Sequence, residues 1–220
     1  TERTTIDSFP YQEQAVKLRT PDGRSALHRC VECGWSTLAA ILIGLGSSAF
    51  EPPLGNSIEN TPMHLASKSS HPKVLKALLE DPKVKASQHA VDVGNANGDT
   101  PLMFACASEQ VGAASMLLAA GADPLQANLQ GSTPLSVAAT ASSGSHLMRL
   151  LLRHMEKSLS TEKLLTSLNE RCPGGQPLLH LAVKAGNAEA AGALISAGAD
   201  PLQRNALGQS ALDVASRQKE

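Results

Sequence analysis

The chain has 220 residues, of which 42% are hydrophobic and 18% charged, and nineteen Lys+Arg against twenty Asp+Glu leave a net charge of −1. That length buries a substantial core, as one domain or as a quasi-one-dimensional stack, and the near-neutral balance supplies no basic footprint for nucleic acid or an anionic membrane. Aromatic residues make up only 2%, too few for a base-stacking platform or an aromatic-filled core.

In chain order, Thr1–Arg19 carries no recurring motif; Gln12–Leu18 fits either a helical cap on the adjoining segment or a mobile tail. From Thr20 onward one short run returns: Ser25-Ala26-Leu27-His28, Thr61-Pro62-Met63-His64, Thr100-Pro101-Leu102-Met103 and Thr133-Pro134-Leu135-Ser136. An altered copy follows in Gln176-Pro177-Leu178-Leu179-His180-Leu181-Ala182, and a last one in Ser210-Ala211-Leu212-Asp213. Measured at His28, His64, Met103, Ser136, His180 and Asp213, the intervals are 36, 39, 33, 44 and 33 residues. Thr is a good N-cap, and Pro at the first helical position forfeits no hydrogen bond, so each run predicts a helix start. Gly98, Gly131, Gly175 and Gly208 precede the runs as turn residues.

Second helices are predicted over His71–Glu80, Val111–Ala120, His146–Met155 and Ala188–Ala197, each with apolar residues at helical spacing. Gly121 and Gly198 sit where a left-handed residue stops a helix, inside Gly121-Ala122-Asp123-Pro124-Leu125-Gln126-Ala127-Asn128 and its near copy Gly198–Asn205. Six units result, starting near Thr20, Ile58, Asn95, Asn128, Arg171 and Asn205, the last with one helix as a capping half-repeat. Two insertions interrupt them. Lys83–Val93 predicts a longer hairpin or a short strand, and Lys157–Gly174 predicts a short extra helix starting at Ser160-Thr161-Glu162 with Leu164, Leu165 and Leu168 on one side. Either insertion belongs to the working face of the stack or is a tolerated surface loop.

The Thr-Pro-Leu-His-x-Ala run and the 33-residue interval resemble the ankyrin repeat, and the resemblance covers about Thr20–Ser216. It implies an all-α repeat solenoid of about five to six helix-turn-helix units with short hairpin loops. The organisation it implies is an N-terminal segment over 1–19 and an ankyrin-repeat domain over 20–220, with insertions near 81–94 and 157–174. It also implies a non-catalytic protein-protein interaction scaffold with a partner peptide or helix in a concave groove. Carried over by motif, the hairpin-tip candidates are Asn97, Asp99, Leu129, Gln130, Ser132, Leu207 and Gln209. The inner-helix candidates are Glu32, Lys68, Ser69, Ala107, Ser108, Thr140 and Lys184. The small side chains among them predict a shallow, weakly charged groove. The chain departs from the family at Met103 and Ser136, which replace the motif histidine and its loop-bracing bond, and at Leu125 and Leu202, where Asn is common.

No catalytic, cofactor-binding or metal-ligating residue is expected. Cys30-x-x-Cys33 beside His28 has zinc spacing, but no second ligand pair follows, and Cys30 fills the small-residue slot of Ala66, Ala105, Ala138, Ala182 and Ala215. Gly44-Leu45-Gly46-Ser47-Ser48-Ala49 has the letters of a dinucleotide fingerprint but follows a helix rather than a strand. Trp35, the sole tryptophan, is expected in the core, with an exposed anchor as the alternative. Arg149, Arg153, His154 and Lys157 form a basic helix face, read as a solvated surface. Cys30, Cys33, Cys106 and Cys172 are too dispersed for a disulfide framework and read as reduced thiols of a cytosolic protein, or a nuclear one. No apolar run approaches the ~20 residues of a membrane span, and Thr1–Asp7 shows no signal-peptide pattern. The partner is expected to be a protein, with no nucleic acid and no membrane insertion, and the domain to be monomeric by itself. The alternatives are a regulatory or targeting domain of a larger enzyme or channel, and a thiol catalyst through Cys33 or Cys172.

Overall fold

Capped, proline-started inner helices alternate with apolar outer helices along the chain. The computed structural model describes residues 16–54, 60–86, 90–141, 145–172 and 175–217. Unit one holds α1 (Ala26–Cys33) and α2 (Ser36–Gly44); unit two holds α3 (Pro62–Lys68) and α4 (Pro72–Leu79). The first insertion forms α5 (Pro82–Lys85) and a 3-10 turn at Ala90–Asp92, and unit three follows with α6 (Pro101–Ala107) and α7 (Val111–Ala119). Unit four has α8 (Pro134–Thr140) and a longer outer helix, α9 (Ser145–Ser158). The second insertion contributes α10 (Thr161–Asn169) and leads to strands β1 (Arg171–Cys172) and β2 (Gln176–Pro177), paired antiparallel. Unit five has α11 (Leu178–Lys184) and α12 (Ala188–Ser196), and the sixth has α13 (Ala211–Arg217).

Each inner helix packs on the next, α1 through α3, α6, α8 and α11 to α13, and the outer helices stack likewise from α2 through α4, α7 and α9 to α12. The seam between the layers is filled with Leu and Ala; Ala39, Ala66, Ala105, Ala114, Ala138, Ala182 and Ala190 are all buried. Such small side chains let helix axes approach closely, so the core is a thin strip that no single unit encloses. The helix starts follow the predicted caps: Thr100 Oγ1 accepts from Met103 N–H at 3.4 Å and Thr133 Oγ1 from Ser136 N–H at 3.1 Å. The turn to the outer helix repeats one backbone bond at 2.9 Å, from Trp35 N–H to Cys30 O, Gln110 N–H to Ala105 O and Asn187 N–H to Ala182 O. Gly46, Gly121 and Gly198, at φ of +102°, +96° and +104°, follow their outer helices in the left-handed region.

The first insertion is helical where a longer hairpin or a strand was the expectation. Pro82 starts α5, and the Asp81 carboxylate caps it by accepting from Lys83 N–H at 2.9 Å. Both insertions end on the same brace. The Asp92 carboxylate accepts from Asp123 N–H at 3.1 Å, and Asn169 Oδ1 accepts from Asp200 N–H at 2.7 Å. Both donors are backbone amides of the aspartates in the Gly-Ala-Asp-Pro turns, so each insertion buttresses the turn of the following unit. In α10, Leu164 and Leu168 are buried while Leu165 is exposed.

Trp35 corrects an expectation: it is 55% exposed, at the N-cap of α2, rather than in the core. The altered motif of unit five also sits differently from its letters. Pro177 occupies the N-cap and Leu178 the first helical position, so Pro177 stands where Thr61 stands in unit two. Of the N-terminal reading, Val16 and Lys17 are helical, and residues 12–15 lie outside the described residues, as does the start of unit two at Ile58.

Candidate partner-binding groove

The hairpin tips are shaped by three asparagines acting alike. Asn95 Oδ1 accepts from Asn97 and Asp99 N–H, Asn128 Oδ1 from Gln130 and Ser132 N–H, and Asn205 Oδ1 from Leu207 and Gln209 N–H, all within 2.8–3.0 Å. One side-chain oxygen thus satisfies two turn amides, and the tip projects as a fixed finger. Neighbouring fingers are joined by backbone bonds, Leu54 N–H to Gly23 O at 2.9 Å, Leu129 N–H to Asn97 O at 3.0 Å and Ala206 N–H to Gly175 O at 3.2 Å. At Gly23, φ is +78° and a Cβ would sit 1.7 Å from Leu54 O, so only glycine permits that approach.

The motif histidines tie inner helices to the next finger. His28 Nε2 donates to Asn60 O at 3.2 Å, His64 Nε2 to Asp99 O at 2.8 Å and His180 Nε2 to Gln209 O at 2.9 Å. With Nε2 carrying the proton, Nδ1 is an acceptor: that of His28 takes Ser25 Oγ–H at 2.7 Å, and that of His64 takes Thr61 Oγ1–H at 2.8 Å. Burial holds both rings neutral, pushing His28 down to about 4 and His64 below its usual value. The buried His180 Nδ1 finds no partner among the described residues, because Pro177 at its cap has neither hydroxyl nor N–H. In unit three Met103 has no donor for this bond, and the fingers are joined by Asn128 Nδ2, which donates to the Asp99 carboxylate at 2.5 Å as Asn95 Nδ2 donates to Asn60 Oδ1 at 2.8 Å one unit earlier. In unit four Ser136 turns back on Thr133, its Oγ donating to Thr133 O at 2.9 Å. A cavity of about 270 Å³ opens beside this unit, between Leu135 and the strand pair at Cys172.

Along the inner helices of units two to five, the residue after the motif histidine slot forms a half-buried apolar row: Leu65, Phe104, Val137 and Leu181. The sequence reading missed this row and chose positions about one turn later, although its regular recurrence was the available signal. The structure brings four of the chosen residues to it. Lys68, Asp99, Ala107 and Ser108 line a cavity of about 310 Å³ together with Met103, Phe104 and Val137. The Phe104 ring meets His64 edge-on at a centroid distance of 5.2 Å, which sets the cavity floor.

The other chosen residues are spread along the stack. Asn97, Leu129 and Gln130 stand exposed on fingers three and four, Leu207 on finger six, and Thr140 and Lys184 at the ends of α8 and α11. Ser132, Asp99 and Gln209 brace their own fingers. Ser69 donates to Ala66 O at 2.9 Å, and Glu32 is ion-paired to both Arg24 and Arg29. The basic face of α9 adjoins acid groups: Arg149 and Arg153 line a groove with Glu156 and Glu189. Among the described residues, no three His, Cys, Asp or Glu side chains group as metal ligands, and no helix is long and apolar enough to cross a membrane.

A solenoid of paired helices with rigid fingers over an apolar row is the architecture of a protein-interaction scaffold. The family model described as Ankyrin repeats (3 copies) matches residues 4–88 and 84–162, and that described as Ankyrin repeat matches 174–206, so the chain belongs to the ankyrin-repeat family. Domains of this family are generally non-catalytic interaction modules. The chain is 29% identical over 184 residues, 83% of its length, to the human transient receptor potential cation channel subfamily A member 1. It is 28% identical over 130 residues, 54% of its length, to the ankyrin repeat and KH domain-containing protein mask-1 of Caenorhabditis elegans. It spans only 16% and 5% of those proteins. In fold it is similar to the crystal structure of the ankyrin repeat domain of Bcl-3, a member of the IkappaB protein family, with a TM-score of 0.73 at 23% identity over 93% of this chain and 86% of that one.

Proposed function

We propose that this domain, a non-catalytic monomer, holds an extended peptide or a slim helix of a partner protein along the Leu65–Phe104–Val137–Leu181 row. The observation that carries this is the cavity between Lys68 and Val137, an apolar floor rimmed by one cation and one carboxylate. Such a cavity takes one apolar side chain, and Lys68 favours an acidic neighbour beside it. The fingers are held by internal hydrogen bonds, so little ordering entropy opposes binding. Burying one large apolar anchor contributes about 1.5–3 kcal/mol.

The test is selection of peptides from a displayed random library on the whole chain, followed by titration against variants. Selected peptides should share an apolar anchor and lose about tenfold or more in affinity to Val137→Glu. Lys68→Glu should weaken those with an acidic neighbour. Binding unchanged in both variants, and in Leu129→Ala and Lys184→Ala, would move the site out of the groove. A second reading rests on the short span of the longer relatives: the chain serves as a regulatory or targeting domain within a larger enzyme or channel. The full-length open reading frame decides that.

A further inference from the structure

Neighbouring units are tied at their finger ends by a few recurring residues, and at one joint those residues are replaced. Between units one and two, two and three, and five and six, the motif histidine donates to a carbonyl of the next finger. Between units three and four, Leu129 N–H and Asn128 Nδ2 make the tie. Unit four has Ser136 in the histidine place, and Thr133 takes up its hydroxyl: Ser136 Oγ donates to Thr133 O and accepts from Thr133 N–H, both at 2.9 Å. Finger five has Cys172 in the asparagine place. Gly175 N–H donates to Cys172 O at 3.0 Å, as Gly98, Gly131 and Gly208 donate to Asn95, Asn128 and Asn205 at 2.8–3.0 Å. A thiol has neither the carbonyl oxygen nor the amide donors with which asparagine braces a finger. The residue after the asparagine donates to the preceding finger from Leu129 and Ala206; in the sequence Cys172 is followed by Pro173, which has no N–H. The cavity of about 270 Å³ opens at this joint, lined by Gly131 and Thr133 on one side, Cys172 on the other, and Leu135 and Leu178 between.

We propose that the stack parts at this joint, with α10 and units five and six opening as one block while units one to four stay folded. The block is bound together on its own side. Asn169 Nδ2 donates to Gly198 O at 3.4 Å and Gln203 Nε2 to Asn169 O at 2.6 Å, which fastens α10 to the turn after α12. Arg171 donates to Arg204 O at 3.3 Å and so joins finger five to unit six. Across the joint, α8 packs on α11 and α9 on α12, and Asn187 Nδ2 donates to Ala141 O at 2.7 Å where α8 and α11 end. That bond lies a helix length, about 10 Å, from the fingers, so the joint is pinned at the far end and weakest at the finger end. The stability of a solenoid is a sum of unit and nearest-neighbour interface contributions, and the interface whose tying residues are replaced is where a block comes away. Opening uncovers Leu135 and Leu178, 1% and 2% exposed in the closed stack, together with the half-buried Cys172 thiol.

The test is native-state amide exchange of the whole chain across a series of low urea concentrations. Amides of α11 and α12 should exchange through one shared opening, about tenfold or more faster than those of α6 and α7, with the step falling between α9 and α10. Ser136→His returns the motif histidine beside Thr133, and Cys172→Asn returns the finger asparagine. Each should slow exchange in α11 and α12 by about tenfold, the worth of one regained hydrogen bond, and leave α3 and α4 unchanged. In Ser136→His the maleimide labelling of Cys172, which lines the joint, should slow in parallel. Rates that rise smoothly from α6 to α13 describe fraying without a joint and overturn the proposal, as does one opening shared by all units. A step that persists unchanged in both variants also overturns it, since the replaced residues would then not be its cause.

Discussion

Replacing Pro177 by threonine should stabilise the stack. His180 is buried with Nδ1 unpaired among the described residues, and the cap residue that satisfies the equivalent atom in unit two is Thr61. Pro177 lies at φ −62°, ψ 155°, close to Thr61 at −74°, 165°, so threonine fits that backbone as it stands. Pairing a buried, unsatisfied acceptor is worth about 1–3 kcal/mol, and a threonine cap on the first helical amides about 1 kcal/mol. Against this stands the loss of proline's restriction of the unfolded chain, about 0.4–1 kcal/mol. The net expectation is a gain of roughly 1–3 kcal/mol, read as a rise in the urea midpoint at unchanged slope. The control is the same change in a His180→Met background, which copies the natural pairing of Thr100 with Met103 in unit three. There only the cap contribution should survive. A gain of equal size in both backgrounds, or no gain in either, would refute the claim that Nδ1 is the reason.

Acid should destabilise the domain before its carboxylates protonate. His28 is held down to about 4, against 6.5 in an unfolded chain, and His64 is shifted the same way. Below pH 6.5 the unfolded state therefore binds protons that the folded state refuses, and stability falls as the pH drops from 6.5 towards 4. His28 alone accounts for about 3 kcal/mol over that window. Urea titrations at pH 7.5, 5.5 and 4.5 should show the decline, shallower in His28→Asn; stability constant across the three would contradict the neutral, buried ring. Thiol labelling of the native domain should modify Cys33 first, since it is exposed, and spare Cys106, which burial pushes up to about 12. Cys172, raised by burial and by Glu170, should react more slowly than free cysteine. A Cys172 or Cys33 reacting far faster than free cysteine would reopen the thiol-catalyst reading.

The repeated fold was legible because its signals are local. A Thr-Pro helix start, a stopping glycine and an apolar stripe each act within a few residues, and their recurrence from Ser25 to Asp213 placed the inner helices and most outer ones. The extra helix at Thr161–Asn169 was legible for the same reason, with Ser160 as its cap. Half of the groove was read: Lys68, Asp99, Ala107 and Ser108 came from motif position, while Phe104 and Val137 were missed because half-buried apolar residues on an inner helix look like core. Tertiary structure decided what depends on neighbours. Trp35 is exposed although its residue type favours burial, because no described unit precedes α2. Asp92 and Asn169 brace turns 31 residues away, and no local pattern announces a bond of that span. Pro177 reads as an ordinary motif proline until the helix start moves by one position and leaves His180 without its donor. The sequence by itself therefore determined the unit, whose capping and periodicity are short-range. The stacking of units decided which faces are buried, which histidines are satisfied and where a cavity remains.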